Sequence, residues 1–175
     1  METIDALLAQ AMESRRAGVF GEARDAAERA ESIARHEPKP DRLARALTML
    51  ADIDVDQRRP EAARPRYEEA VELYRNRGDL LLAAEALRHL GELHTEASRL
   101  DEANAALEEA LAVQRADEQA DLGALADSLR ALGVLREAQG RREEAQTLWG
   151  EARDLYAQEH DQEGVNEMNE HLGAG

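Results

Sequence analysis

Apolar side chains recur along this chain at intervals of three and four, the spacing that gathers them on one face of a helix. Ile4, Leu7, Leu8, Ala11 and Met12 form the first stripe, over residues 3–16. Ala17-Gly18-Val19-Phe20-Gly21 interrupts it with two glycines. A second stripe of Ala23, Ala26, Ala27, Ala30, Ile33 and Ala34 predicts a helix over 22–35. Pro38 and Pro40 end it, and Asp41 is placed to cap a helix over 42–56 that turns Leu43, Ala46, Leu47, Leu50 and Ile53 inward. The next helix, over 61–75, faces inward with Ala63, Tyr67, Ala70, Val71 and Tyr74; Pro65 predicts a late start or a kink. Gly78 suits a left-handed helix end and Asp79 the following N-cap. Helices are predicted over 80–97, 101–115, 121–139 and 142–158, the last two divided at Gly140. Val165, Met168 and Leu172 keep the spacing over 162–172, and Gly173-Ala174-Gly175 is expected to fray.

Set beneath one another, the helix pairs share columns. Leu7, Leu47, Leu87 and Leu129 align, followed by Gln10, Leu50, Leu90 and Leu132, then by the small residues Ala11, Ala51, Gly91 and Gly133. In the second helices Ala23, Ala63, Ala103 and Ala145 align, then Ala27, Tyr67, Leu107 and Trp149, then Ala30, Ala70, Ala110 and Ala152. The steps between copies are 40, 40 and 42 residues. A recurrent glycine or alanine lets two helices cross closely, and the large column fills the gaps left by the small ones. One such pair cannot bury its apolar faces alone, whereas stacked pairs can.

The pattern resembles the tetratricopeptide repeat (TPR) family. Leu87-x-x-Leu90-Gly91-x-x-His94 with Ala103-x-x-x-Leu107-x-x-Ala110 is similar to its signature, and Leu129-x-x-Leu132-Gly133 with Ala145-x-x-x-Trp149-x-x-Ala152 repeats it. The period exceeds the usual length of about 34 residues. It is similar to the longer arrays of kinesin light chains and of bacterial regulators of the MalT type. The aromatic residue usual after the Leu-Gly pair is replaced by Ser14, Asp54, His94 and Arg136. The resemblance implies an all-α, right-handed α-solenoid of four TPR-like helix pairs (about residues 3–38, 42–78, 80–118 and 121–160) plus a C-terminal capping helix over about 162–172, one domain spanning residues 1–175. It also implies a concave groove lined by the first helix of each pair. The face opposite the buried leucines then offers Leu8, Met12, Arg15, Asp52, Asp56, Glu85, Arg88, His89, Glu92, Glu96, Asp127, Arg130, Val134 and Glu137 as ligand contacts. The lysine/asparagine clamp by which chaperone-binding members hold a terminal carboxylate has no counterpart, since the one lysine, Lys39, lies in a predicted loop.

Composition narrows the partner. The chain carries 38 acidic against 22 basic residues, a formal net charge of −16. It therefore repels phosphate backbones and anionic membranes, and the expected partner is a neutral or basic protein or peptide rather than a nucleic acid. The absence of cysteine excludes thiol nucleophiles and cysteine-held zinc. No basic start with an unbroken apolar run marks a signal peptide, and no run of about 18 apolar residues predicts a membrane span, so a cytoplasmic location is expected.

Candidate chemistry adds little. Arg88 is expected to pair along its own helix with Glu85 or Glu92. His89 and His94 are five residues apart, which misses the spacing of a helical two-histidine metal site. Glu68-Glu69, Glu108-Glu109 and Glu143-Glu144 recur on outward faces as solvated carboxylates, and Trp149 fills a core column. No catalytic constellation or cofactor site is placed. The expected function is a non-catalytic interaction module holding a peptide or protein segment. The alternatives are a sensor or regulatory module for a bacterial regulator and a self-assembly module that forms a homodimer through its C-terminal helix or an end pair.

Overall fold

The computed structural model describes residues 3–37 and 40–173. The expectations for Pro38, Lys39, Ala174 and Gly175 lie outside the described residues. Among those described, every regular element is a helix: α1 (Ile4–Arg16), α2 (Phe20–Ala34), α3 (Pro40–Asp56), α4 (Pro60–Arg77), α5 (Leu80–Glu96), α6 (Leu100–Ala116), α7 (Leu122–Ala138), α8 (Arg142–Gln158) and α9 (Gln162–Gly173). None of them is long and apolar enough to cross a membrane. The chain forms two compact units, Met1–Ala86 and Leu87–Gly175.

Three local expectations need correction. Asp41 is not an N-cap, because α3 already begins at Pro40. A proline is at ease in the first turn, and Asp41 beside it meets the positive end of the helix dipole. The helix α4 does not start late: it opens at Pro60 and runs through Pro65. Both Pro65 and Glu61 are exposed, so the carbonyl that loses its helical donor faces water. Ile33 is 39% exposed rather than inward, because the alanines of α2 take the buried stripe.

The turn inside each helix pair repeats as faithfully as the helices do. Gly18, Arg58, Ser98 and Gly140 all adopt positive φ, between 57° and 75°. In each turn a backbone N–H reaches back five residues: Val19 to Ser14, Arg59 to Asp54, Arg99 to His94 and Arg141 to Arg136, all at 2.8 Å. This closes orphan carbonyls at the helix end. Gly78 closes α4 at φ 81°, as expected.

In the N-terminal unit Ile4, Leu7, Leu8 and Ala11 pack on the alanine face of α2 and on Ala46, Leu50 and Ile53 of α3. Leu8, expected at the open end of a groove, is only 5% exposed and belongs mainly to this core. A second cluster joins Ala44 and Leu47 to Ala70, Tyr74 and Ala83.

In the C-terminal unit the small and large columns meet. A β-carbon on Gly91 would stand 2.4 Å from Leu107 Cγ, and one on Gly133 would stand 2.3 Å from Trp149 Nε1. The helix α9 covers the last apolar face as expected: Met168 is fully buried, and Val165 and Leu172 pack beside it on the Leu129–Trp149–Tyr156 core. Gly164 lies against the Tyr156 ring.

Candidate functional site

In two of the four pairs the column that usually carries an aromatic ring carries a buried charge. Asp54, on α3, is 1% exposed. Arg24 of α2 reaches it at 2.6 Å and Arg59 at 3.2 Å, and Arg66 of α4 pairs with its other oxygen. At the same place in the fourth pair, 82 residues on, stands Arg136, 5% exposed. Its guanidinium donates to Asn104 at 2.6 Å and Gln139 at 3.0 Å, and pairs with Glu108 and, at 3.5 Å, with Glu144. Each buried ion is thus paired and hydrogen-bonded, the condition for tolerating charge away from water. The carboxylate pairs expected on solvated faces are partly spent in this way: Glu108 and Glu144 serve Arg136, Glu69 serves Arg35 at 2.9 Å and Glu68 serves Arg64 at 3.0 Å.

Of the expected ligand contacts, Met12, Arg15, Asp52, Asp56 and Glu85 belong to the N-terminal unit. Arg15 of α1 bridges to α3, donating to Asp52 at 2.9 Å and to Asp56 at 2.6 Å. Burial works against its charge, but the Asp56 hydrogen bond and both carboxylates raise its pKa. The Tyr67 hydroxyl donates to the second oxygen of Asp52 at 2.5 Å. Beside this bridge lies a cleft of about 240 Å³ lined by Leu8, Ala9 and Met12 of α1, by Thr48, Met49 and Asp52 of α3 and by Tyr74 of α4, with Asp5 and Arg45 also at its wall. Met12 is 42% exposed. Burial pushes the Tyr74 phenol up; the Thr48 hydroxyl opposes this, Glu85 adds to it and Arg45 opposes it.

Arg88, His89, Glu92, Glu96, Asp127, Arg130, Val134 and Glu137 belong to the C-terminal unit. Four of them converge. Glu92 accepts from Arg88 at 3.0 Å and from Arg130 at 2.9 Å, and His89 Nδ1 lies 3.4 Å away. Burial alone would raise the Glu92 pKa, but the His89 hydrogen bond and the charges of Arg88, His89 and Arg130 hold it at about 2. Arg88 does pair along its own helix, and only 9% of it is exposed. Arg130 reaches further, to Glu167 of α9 at 3.6 Å, so one ion chain ties α5, α7 and α9 together. Next to it the Tyr156 hydroxyl donates to Asp127 at 2.6 Å; burial and that carboxylate raise the phenol's pKa. Val134 is half-buried against the core, and Glu96 and Glu137 are exposed without joining the ion chain. Among the described residues no group of three His, Asp or Glu side chains is placed to hold a metal ion.

Sequence reasoning missed Asp54, Arg136 and Glu167. A signal existed for the first two, since both continue a buried stripe, seven residues after Leu47 and Leu129 respectively.

The comparisons with known proteins bear on the fold and the family. The chain is similar in structure to BtubC (BKLC) from P. vanneervenii, at 24% identity and a TM-score of 0.79, over 90% of this chain and 64% of that one. It thus spans under two thirds of that protein's length. It is also similar to a kinesin light chain candidate from Podosopora anserina with nearly identical TPR-like repeats, at 17% identity and a TM-score of 0.71, over 99% of this chain and 96% of that one. A third likeness is to YrrB, a TPR protein with an unusual peptide-binding site, at 22% identity and a TM-score of 0.64, over 95% and 74% of the two chains. At these identities the likeness speaks to fold alone, an all-α helical solenoid. No curated protein matches the sequence. The tetratricopeptide repeat profile matches residues 2–76 and 60–116. Those two stretches together span well over half of the sequence, and the chain belongs to the tetratricopeptide repeat family.

Proposed function

We propose that this chain is a non-catalytic binding module that holds a peptide or protein segment against the exposed faces of its first helices. The observation that carries the reading is the cleft between α1 and α3, with Met12 open beside it and the Arg15–Asp52–Asp56 bridge fixing its walls. Membership of the TPR family supports it, as does the fold likeness to YrrB, whose description includes a peptide-binding site. The contacts proposed are Met12, Arg15, Asp52, Asp56 and Glu85 in one unit, and His89, Glu92, Glu96, Asp127, Arg130, Val134 and Glu137 in the other. Arg88 acts behind them, holding Glu92 in place. The partner is neutral or basic. The N-terminal unit holds 18 acidic and 14 basic residues and the C-terminal unit 20 and 8, so an acidic partner meets repulsion throughout.

A photo-crosslinking residue at Met12 tests this. It is expected to capture a discrete polypeptide that the same residue at Asp25, exposed on α2, does not. Identical capture from both positions would remove the first-helix face from the reading.

A further inference from the structure

We infer that Arg24, Arg59 and Arg66 form a binding site for a phosphate group in the N-terminal unit. The site lies apart from the first-helix contacts and goes beyond the reading above. Three guanidiniums from three segments converge on one carboxylate: Arg24 of α2, Arg66 of α4 and Arg59 of the turn before α4 all pair with Asp54. Gln57 accepts from Arg24 at 3.1 Å and from Arg59, and the Ala62 carbonyl accepts from Arg66 at 3.1 Å, but neither acceptor carries charge. The other carboxylate paired with this cluster is Glu28, exposed and 3.8 Å from Arg24, too far for a hydrogen bond. Asp56 is two residues from Asp54, which puts it across α3, where Arg15 holds it. Arg58, exposed in the same turn, makes no ion pair among the described residues. Positive charge is therefore left over. The fourth pair supplies the contrast: there Arg136 and Arg141 face Glu108 and Glu144, and the charges balance.

Donors are left over too. Each of the three arginines spends one terminal nitrogen on Asp54, Gln57 or Ala62. Its Nε and its other terminal nitrogen have no hydrogen-bond acceptor among the described residues. Arg59 is exposed and Arg24 and Arg66 are half-buried, so the cluster is reached from solvent. Arg66 also lines an open cleft of about 390 Å³ beside α4, whose carboxylates Glu31 and Glu69 are both engaged by Arg35. A phosphate monoester carries close to two negative charges and three terminal oxygens, and the arginine fork matches those oxygens two at a time. A carboxylate offers one charge and two oxygens. The unit's excess of acid repels a partner with many carboxylates, but it is spread over the surface and screened beyond roughly 8 Å, whereas a phosphate at this place adjoins the guanidiniums.

The test titrates the full chain with sodium phosphate, with sodium chloride and sodium acetate at matched ionic strength, and with capped glycine/serine peptides with and without one phosphoserine. Arginine Nε–H and backbone amide shifts locate the site and give the affinity. Phosphate is expected to shift the Nε–H signals of Arg24, Arg59 and Arg66, and chloride, acetate and the unmodified peptide to leave them in place. Arg59→Gln is expected to weaken phosphate binding about tenfold through the lost charge-assisted hydrogen bonds. Glu28→Gln is expected to tighten it about twofold by removing the nearest competing carboxylate. Arg35→Gln, whose arginine is already engaged, is expected to leave it unchanged. A phosphoserine peptide that binds more tightly than inorganic phosphate assigns the group to a modified partner, and equal binding assigns it to free phosphate; both support the site. Acetate as effective as phosphate, shifts confined to other residues, or equal weakening in Arg35→Gln overturns the inference. Should Arg59→Gln lose helicity, Glu28→Gln decides, and binding no tighter than wild type overturns it. The crosslink from Met12 judges the module reading separately.

Discussion

Gly133 offers the sharpest test of the packing. An added β-carbon there would lie 2.3 Å from Nε1, 2.6 Å from Cδ1 and 3.0 Å from Cε2 of Trp149. These are atoms of a rigid ring that is 1% exposed and stacks on His171 with centroids 4.5 Å apart, so it has little room to turn. Alanine gains up to about 1 kcal/mol over glycine in a helix. Overpacking a filled core costs roughly 1–3 kcal/mol. Gly133→Ala is therefore expected to lose about 1–2 kcal/mol, a fall in Tm of roughly 2–8 °C for a chain of this size. Gly150→Ala is the control: nothing lies within 4 Å of its β-carbon, so only the propensity gain applies. Gly91→Ala meets Leu107, an aliphatic chain that can turn aside, and should lose less. The assay is thermal and urea unfolding followed by circular dichroism and by the fluorescence of Trp149, the single tryptophan. A Gly133→Ala protein as stable as the Gly150→Ala one, with its tryptophan emission unmoved, would refute the close approach of α7 and α8.

Other predictions address charge and backbone. Asp54→Asn should cost roughly 3 kcal/mol in urea unfolding, since removing one partner of a buried ion cluster leaves the others uncompensated; a loss below the error of the fit would mean the three arginines reach water instead. The Glu92 carboxylate has a folded pKa of about 2, below its ordinary value of 4.5. Its contribution to stability is present above pH 4.5 and is lost as pH falls from there through 2. Glu92→Gln should therefore flatten the acid-unfolding curve in that window and leave the curve of wild type steeper; parallel curves would exclude the linkage. Arg58→Gly and Ser98→Gly should each stabilise by up to about 1 kcal/mol, because glycine adopts the left-handed turn without the cost borne by a β-carbon; a lower Tm in both would show that these side chains hold the turn.

The helices and their pairing were readable because each column appears four times. A lone Leu-Gly pair is weak, but Gly91 opposite Leu107 and Gly133 opposite Trp149 are the same contact made twice. The buried ions were not readable, because periodicity separates inside from outside and assumes that charge lies outside. Asp54 and Arg136 sit at inside positions, and the side chains that make this tolerable come from other helices: Arg24 and Arg66 for one, Asn104 and Glu108 for the other. The candidate contacts show the same limit. That Arg88 pairs with Glu92 follows from their spacing of four. That Arg130 and Glu167 join them, from 38 and 75 residues away, needs the three-dimensional packing of α7 and α9.

The opposite charges of Asp54 and Arg136, at one column of otherwise similar helix pairs, bear on how freely such pairs can be exchanged. Hydrophobic columns are common to all four copies and would let any pair substitute for another. A second pair moved into the place of the fourth would keep Arg59 and Arg66 beside Asp54 but exchange Arg24 of α2 for Glu108 of α6. The reverse move would take Arg136 from Asn104 and Glu108 of α6 and set it against Arg24 of α2. The copies are in this way addressed parts, each matched to its own neighbours, and a chimera built by shuffling them would have to carry the surrounding charges along.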